Sequence, residues 1–232
     1  MAVIEETVGV DEHEESLVAH HFHDIDQQRE AATLGMWLFL AQEVMFFGGM
    51  LAAYTVYRVS YPRTFVACSN EIGLTLGLTN TFVLLCSSFC MAMSVRSAMT
   101  SRKGPLIRWL IVTLLLGVVF LVIKGIEYHE KWTHFLVPGI RFHAQPWMPD
   151  PSRAELFFVL YFVLTGMHAL HMVIGVCILT TLTILVVKKD KFLHGDYMPV
   201  ELSGFYWHFV DIVWVFLFPL IYLVNRAAEF HH

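Results

Sequence analysis

The chain has 232 residues, of which 56% are hydrophobic and 15% charged, with a formal net charge of −5. A soluble domain carries about 25% charged residues, so this composition excludes a water-soluble globular fold. Strand-type alternation is absent, which argues against a β-barrel, and no basic footprint for nucleic acid exists. What remains is an all-α, polytopic membrane protein.

Residues 1–30 form an acidic polar tail in which Glu5, Glu6, Asp11, Glu12, Glu14, Glu15, Asp24, Asp26 and Glu30 face a single Arg29. An apolar signal-peptide core is missing there, and the segment reads as solvated. Its His13, His20, His21 and His23 read as part of that polar tail, with metal binding as the alternative. About 20 apolar residues cross a bilayer as helix. Five segments within residues 31–226 meet that length: 31–57, 72–95, 106–128, 156–187 and 202–225. Residues 227–232 form a short C-terminal tail.

An ionisable group in hydrocarbon costs roughly 2.5–3.5 kcal/mol even on lenient insertion scales. Those embedded here must therefore meet protein, water or a bound polar group. Glu43 lies midway along the first span, one turn before Gly48 and Gly49. It reads as a hydrogen-bonded structural carboxyl or as a proton-relay site. In the second span, Gly73 and Gly77 have the spacing that permits close helix approach, and Asn80 is placed to bond across such a contact. The third span is flanked by Arg108 and Lys124, while Lys124, Glu127 and Lys131 follow helical spacing and suggest an interfacial salt-bridge ladder.

His168 and His171 in the fourth span lie three apart, with Gly175 four residues beyond His171. They read as hydrogen-bonded interhelical histidines, with haem or copper ligation as the alternative. His208 and Asp211 in the last span are also three apart, flanked by Trp207 and Trp214. A carboxylate one turn away can orient an imidazole, so a structural polar cluster at a subunit or lipid interface is expected. No Glu-x-x-His pair, phosphate loop or Ser–His–Asp arrangement assembles a catalytic centre. Cys68, Cys86, Cys90 and Cys177 look like small packing residues.

Five spans place the termini on opposite sides. Arg96, Arg102, Lys103 and Arg108 in one short loop, with Lys188, Lys189 and Lys191 in another, predict a cytoplasmic N-terminus. On the other side, residues 130–153 contain four prolines beside Trp132 and Trp147, the composition of a rigid loop on the outer membrane surface.

The stretches WLFLAQEVMFFGG, LTNTFVLLCSSF, KGIEYHEKW, FFVLYFVLTGMHALHMVIG and ELSGFYWHFVDIVWVFLFPLIYL run in register from about residue 34 to 223. Together they resemble subunit III of the haem–copper oxidases, most closely the bacterial cytochrome c oxidase form. The resemblance implies a membrane subunit with no haem or copper of its own, those cofactors residing in neighbouring subunits. It implies subunits I and II as partners, bound structural phospholipids, a possible respiratory supercomplex, and a location in the bacterial plasma (inner) membrane. Family members flank the catalytic subunit I, sustain its proton uptake and protect it during turnover. By this resemblance Glu43 matches the family's buried helix carboxylate. Glu127, His168, His171, Trp207, His208 and Asp211 match its polar positions near lipids and helix contacts.

Longer, mitochondrial-like members have seven spans, and this chain begins at the equivalent of the third. The two further helices form a wall of a lipid-filled cleft in those members. Five-span forms also accompany quinol oxidases, and related short chains accompany nitric oxide reductases. Two readings from other classes stay open: an independent membrane redox protein ligating metal through His168, His171 and His208, and a proton-coupled carrier using Glu43 and Asp211.

Overall fold

The computed structural model describes residues 24–139, 142–188 and 197–224. Six helices follow in order: α1 Ile25–Ser60, α2 Pro62–Asn70, α3 Leu74–Met99, α4 Lys103–Thr133, α5 Pro151–Lys188 and α6 Met198–Tyr222. All but α2 are long and apolar enough to cross a membrane. The histidines of the acidic tail, Lys189, Lys191, Arg226 and the C-terminal tail lie outside the described residues.

Each spanning helix runs past the apolar segment expected for it at one end or both. At α1 the reason is local: the Asp24 side chain accepts a hydrogen bond from the Gln27 backbone N–H at 2.6 Å and caps the helix six residues before the apolar run starts. With 36 and 38 residues, α1 and α5 are roughly 54 and 57 Å long at helical rise. Both exceed the ~30 Å hydrocarbon layer. Between α3 and α4 the chain reverses through Thr100, Ser101 and Arg102, with Ser101 at φ 52.

Helices α3, α4, α5 and α6 form a ring in which each packs on the next and α6 closes on α3. Its keystone is Trp207 of α6, 1% exposed. A Cβ on Gly117 of α4 would fall 2.7 Å from the indole, and one on Gly175 of α5 would fall 3.0 Å away. The indole thus fills space that only glycines leave open. Its Nε1 donates to Ser87 Oγ of α3 at 3.0 Å, and Ser87 donates onward to the Thr113 carbonyl of α4 at 3.3 Å. Four helices meet at this one side chain.

Of the two glycines expected to allow close approach in the second span, only Gly77 does so. A Cβ there would meet Phe218 and Tyr222 of α6 at 2.9 Å. Gly73 instead precedes α3 as its N-cap, with only its own helix's Leu76 nearby. Gly48 and Gly49 have nothing within 4 Å.

Helix α1 leans on α5 and α6 and buries only Glu43, Phe47 and Tyr54. The short α2 tucks beneath it, with Phe65 packed edge-on against Phe157 of α5 at 5.2 Å. Cys68 is buried in α2, outside the spans; burial, with the Glu71 charge adding to it, pushes its thiol up to about 12. That is a packing thiol, not a reactive one. The connection from α4 to α5 shortens to residues 134–150 and folds back on the ring through buried Leu136 and Met148.

Candidate functional site

Among the described residues, three groups of polar side chains in the spanning helices bear on the predicted site residues. The first joins α1 to α5. Glu43 Oε2 lies 3.1 Å from His171 Nε2, with both side chains about one-tenth exposed. The approach is off the axis of the ring nitrogen, so Oε2 makes no linear hydrogen bond in this rotamer. His171 Nδ1 lies 2.8 Å from the Met167 carbonyl, and Phe47 packs edge-on against the imidazole at 5.2 Å. Tyr206 of α6 donates to the His171 backbone carbonyl at 2.9 Å.

The second group corrects the expectation of an interfacial salt-bridge ladder. Lys124 and Glu127 are buried, 3% and 0% exposed, with Nζ and Oε2 3.1 Å apart. Helical spacing says that two residues share a face, not whether that face looks outward. Here it faces α5 and α6. Tyr161 and Tyr222 each donate to Glu127 Oε1 at 2.6 Å, and Lys124 also donates to the Tyr222 hydroxyl at 2.8 Å. The ammonium sits among aromatic rings, 4.9 Å from the centre of Trp214. Lys131 takes no part in this cluster; it donates to the Glu71 backbone carbonyl at 2.6 Å and tethers the end of α2. Sequence reasoning missed Tyr161 and Tyr222, because a tyrosine in an apolar run carries no spacing signal for a partner on another helix.

The third group lines the seam between α3 and α6. Ser88 Oγ and His208 Nδ1 are 2.7 Å apart, and Trp214 Nε1 donates to Thr81 Oγ1 at 3.1 Å. The hydroxyl of Ser88, not the expected Asp211 carboxylate, sets the His208 ring. Asp211 lies beside Ser88 and is 4% exposed, yet its oxygens reach no well-formed hydrogen bond among the described residues. Asn80 is likewise buried without a bond.

His168 and His171 do not act together. His171 turns to α1, whereas His168, fully buried, packs between Phe120 and Trp214 at 5.5 and 5.1 Å. Neither nitrogen of His168 is hydrogen-bonded among the described residues, contrary to the expectation. Glu127, His168 and Trp207 are buried among the helices of the bundle. His208 is half-buried and borders a groove of about 560 Å³ between α1 and α6. The rest of that groove's lining is apolar or aromatic, including Leu40, Val44, Phe47, Phe209 and Phe216. Among the described residues, no three of His, Cys, Asp or Glu converge as a metal site would require.

Residues 11–142 and 152–226 match the family model described as cytochrome c oxidase subunit III. A probable cytochrome c oxidase subunit 3 from Nocardia farcinica is 31% identical over 210 residues, covering 90% of this chain and 96% of that protein. The human cytochrome c oxidase subunit 3 is 30% identical over 210 residues, covering 86% of this chain and 72% of its own length. A probable quinol oxidase subunit 3 from Staphylococcus saprophyticus is 27% identical, covering 90% of this chain and 98% of that protein. An all-helical bundle with five membrane-length helices and a match along nearly its whole length place this chain in the cytochrome c oxidase subunit III family.

Proposed function

We propose that this chain is a non-catalytic accessory subunit of a proton-pumping terminal oxidase in a bacterial inner membrane, with its N-terminus cytoplasmic. It flanks the catalytic subunit I, stands in one complex with subunit II, and supports proton uptake into subunit I. Haem and copper belong to those neighbours. Family membership supports the setting. The observation that carries the docking role is α1: 36 residues with three buried, and an outward surface formed by side chains such as Leu38, Met45, Val56 and Val59, each more than 60% exposed. Lipid alone satisfies such a face, and so does an apolar neighbour. The groove between α1 and α6 offers an acyl chain an apolar bed and supports phospholipid binding. The similarity to a quinol oxidase subunit as well as to cytochrome c oxidase subunits leaves the electron donor to the rest of the complex.

Purification in mild detergent through a tag on this chain tests the proposal. A larger haem-bearing polypeptide copurifies, and the chain separated from it shows no haem absorbance and no stoichiometric copper. Metal retained by the separated chain and lost on His171→Ala supports the independent redox protein instead. For proton uptake, Glu43→Gln leaves assembly and oxygen reduction near wild type if the carboxyl is structural. A large fall in protons pumped per electron, with normal assembly, makes Glu43 a relay.

A further inference from the structure

The contact between Glu43 and His171 limits how many protons it can hold. His171 Nδ1 is 2.8 Å from the Met167 carbonyl oxygen. A carbonyl only accepts, so Nδ1 carries a hydrogen whatever the charge of the ring, and Nε2 alone decides that charge. Nε2 lies 3.1 Å from Glu43 Oε2, without a well-formed hydrogen bond, in a seam where both side chains are about one-tenth exposed. A bare Nε2 beside a carboxylate leaves a net negative charge in hydrocarbon. Protons on both groups leave a net positive charge with nothing to balance it. With one proton, on either atom, the contact is attractive and the unit neutral, the state that a low-dielectric site favours.

The other ionisable groups facing the pair do not alter this count. The Tyr206 phenol from α6 is committed to the His171 backbone carbonyl. His168, one turn back on α5, is packed in aromatic rings without a polar partner. We infer that Glu43 and His171 form a one-proton site that fastens α1 to α5, the proton resting on one or other of the two groups. His171 is thus a positioning residue for α1, acting through Glu43.

The test uses the assembled oxidase complex. Nitrogen NMR on 15N-histidine-labelled complex, with His171 assigned by its loss in His171→Gln, reports whether Nε2 is protonated. Infrared difference spectra between wild type and Glu43→Gln report whether Glu43 is acid or carboxylate. Acid with neutral imidazole, or carboxylate with imidazolium, supports the one-proton site. Carboxylate with neutral imidazole, or acid with imidazolium, overturns it. For fastening, the side-chain amide introduced by Glu43→Gln still donates to Nε2 and keeps the chain in the complex as wild type does, whereas Glu43→Leu and His171→Leu lose it on heating. Equal loss for Glu43→Gln and Glu43→Leu, or loss for neither, overturns the fastening.

Discussion

Inside the ring of α3, α4, α5 and α6, several buried polar groups bond to another helix: Glu127 takes hydrogen bonds from α5 and α6, Trp207 gives one to α3, and Ser88 holds His208. Along α1 one buried carboxyl approaches a polar group of another helix, 3.1 Å from His171 Nε2, and most of the helix shows apolar surface to its surroundings. Helix α1 is no more apolar than any helix of the ring, so its exposed surface does not come from a higher hydropathy. What separates them is how many specific contacts hold each in place. In a bilayer, lipid tails satisfy apolar surface as well as a neighbouring helix does, and association rests on close packing and polar bonds. The ring is therefore fixed by its own chain, and α1 is left available to something else.

Substitutions sharpen or break this contrast. The largest effect is expected at the Lys124–Glu127 pair. Glu127→Leu leaves a buried ammonium without its carboxylate and lowers stability by about 3–5 kcal/mol, seen as loss of the chain from the purified complex on heating. Combining it with Lys124→Met recovers much of that loss, since apolar side chains replace a buried pair well. If the double variant is no better than the single, the pair does not act as a unit.

Next come the glycines. Gly117→Ala drives a methyl group into the Trp207 ring and costs about 1–3 kcal/mol. Gly48→Ala in α1, with nothing within 4 Å, gains up to about 1 kcal/mol in helix propensity or is neutral. Equal melting temperatures for these two variants would erase the distinction between ring and α1. The smallest effect is at the α3–α6 seam, where Thr81→Val removes the acceptor for Trp214 Nε1. Interhelical bonds of this kind average about 0.6 kcal/mol, and a double-mutant cycle with Trp214→Phe measures the coupling.

The spans were legible because apolar length is a property of the chain itself, and Glu43, Glu127 and His171 stood out as charges or imidazoles in hydrocarbon. Their partners were not legible. Helical spacing relates residues on one helix, so Lys124 and Glu127 could be paired from sequence, but the depth of that face depends on where α5 and α6 lie. The pairing of Glu43 with His171 joins residues 128 apart in sequence. Gly117 carries no motif at all; its meaning comes from an indole delivered by another helix. Ser88 was hidden for the same reason, since a serine in a span ordinarily bonds its own backbone.

The joint between α1 and α2 has a mechanical consequence. There the Arg153 guanidinium of α5 stacks over the Tyr61 ring at 3.9 Å while bonded to Asp150 at 2.7 Å. Helix α1 extends about 54 Å from that pivot, so each degree of tilt carries its far tip by roughly 1 Å. By lever length alone, a change of angle at that joint moves the far half of α1 more than the near half.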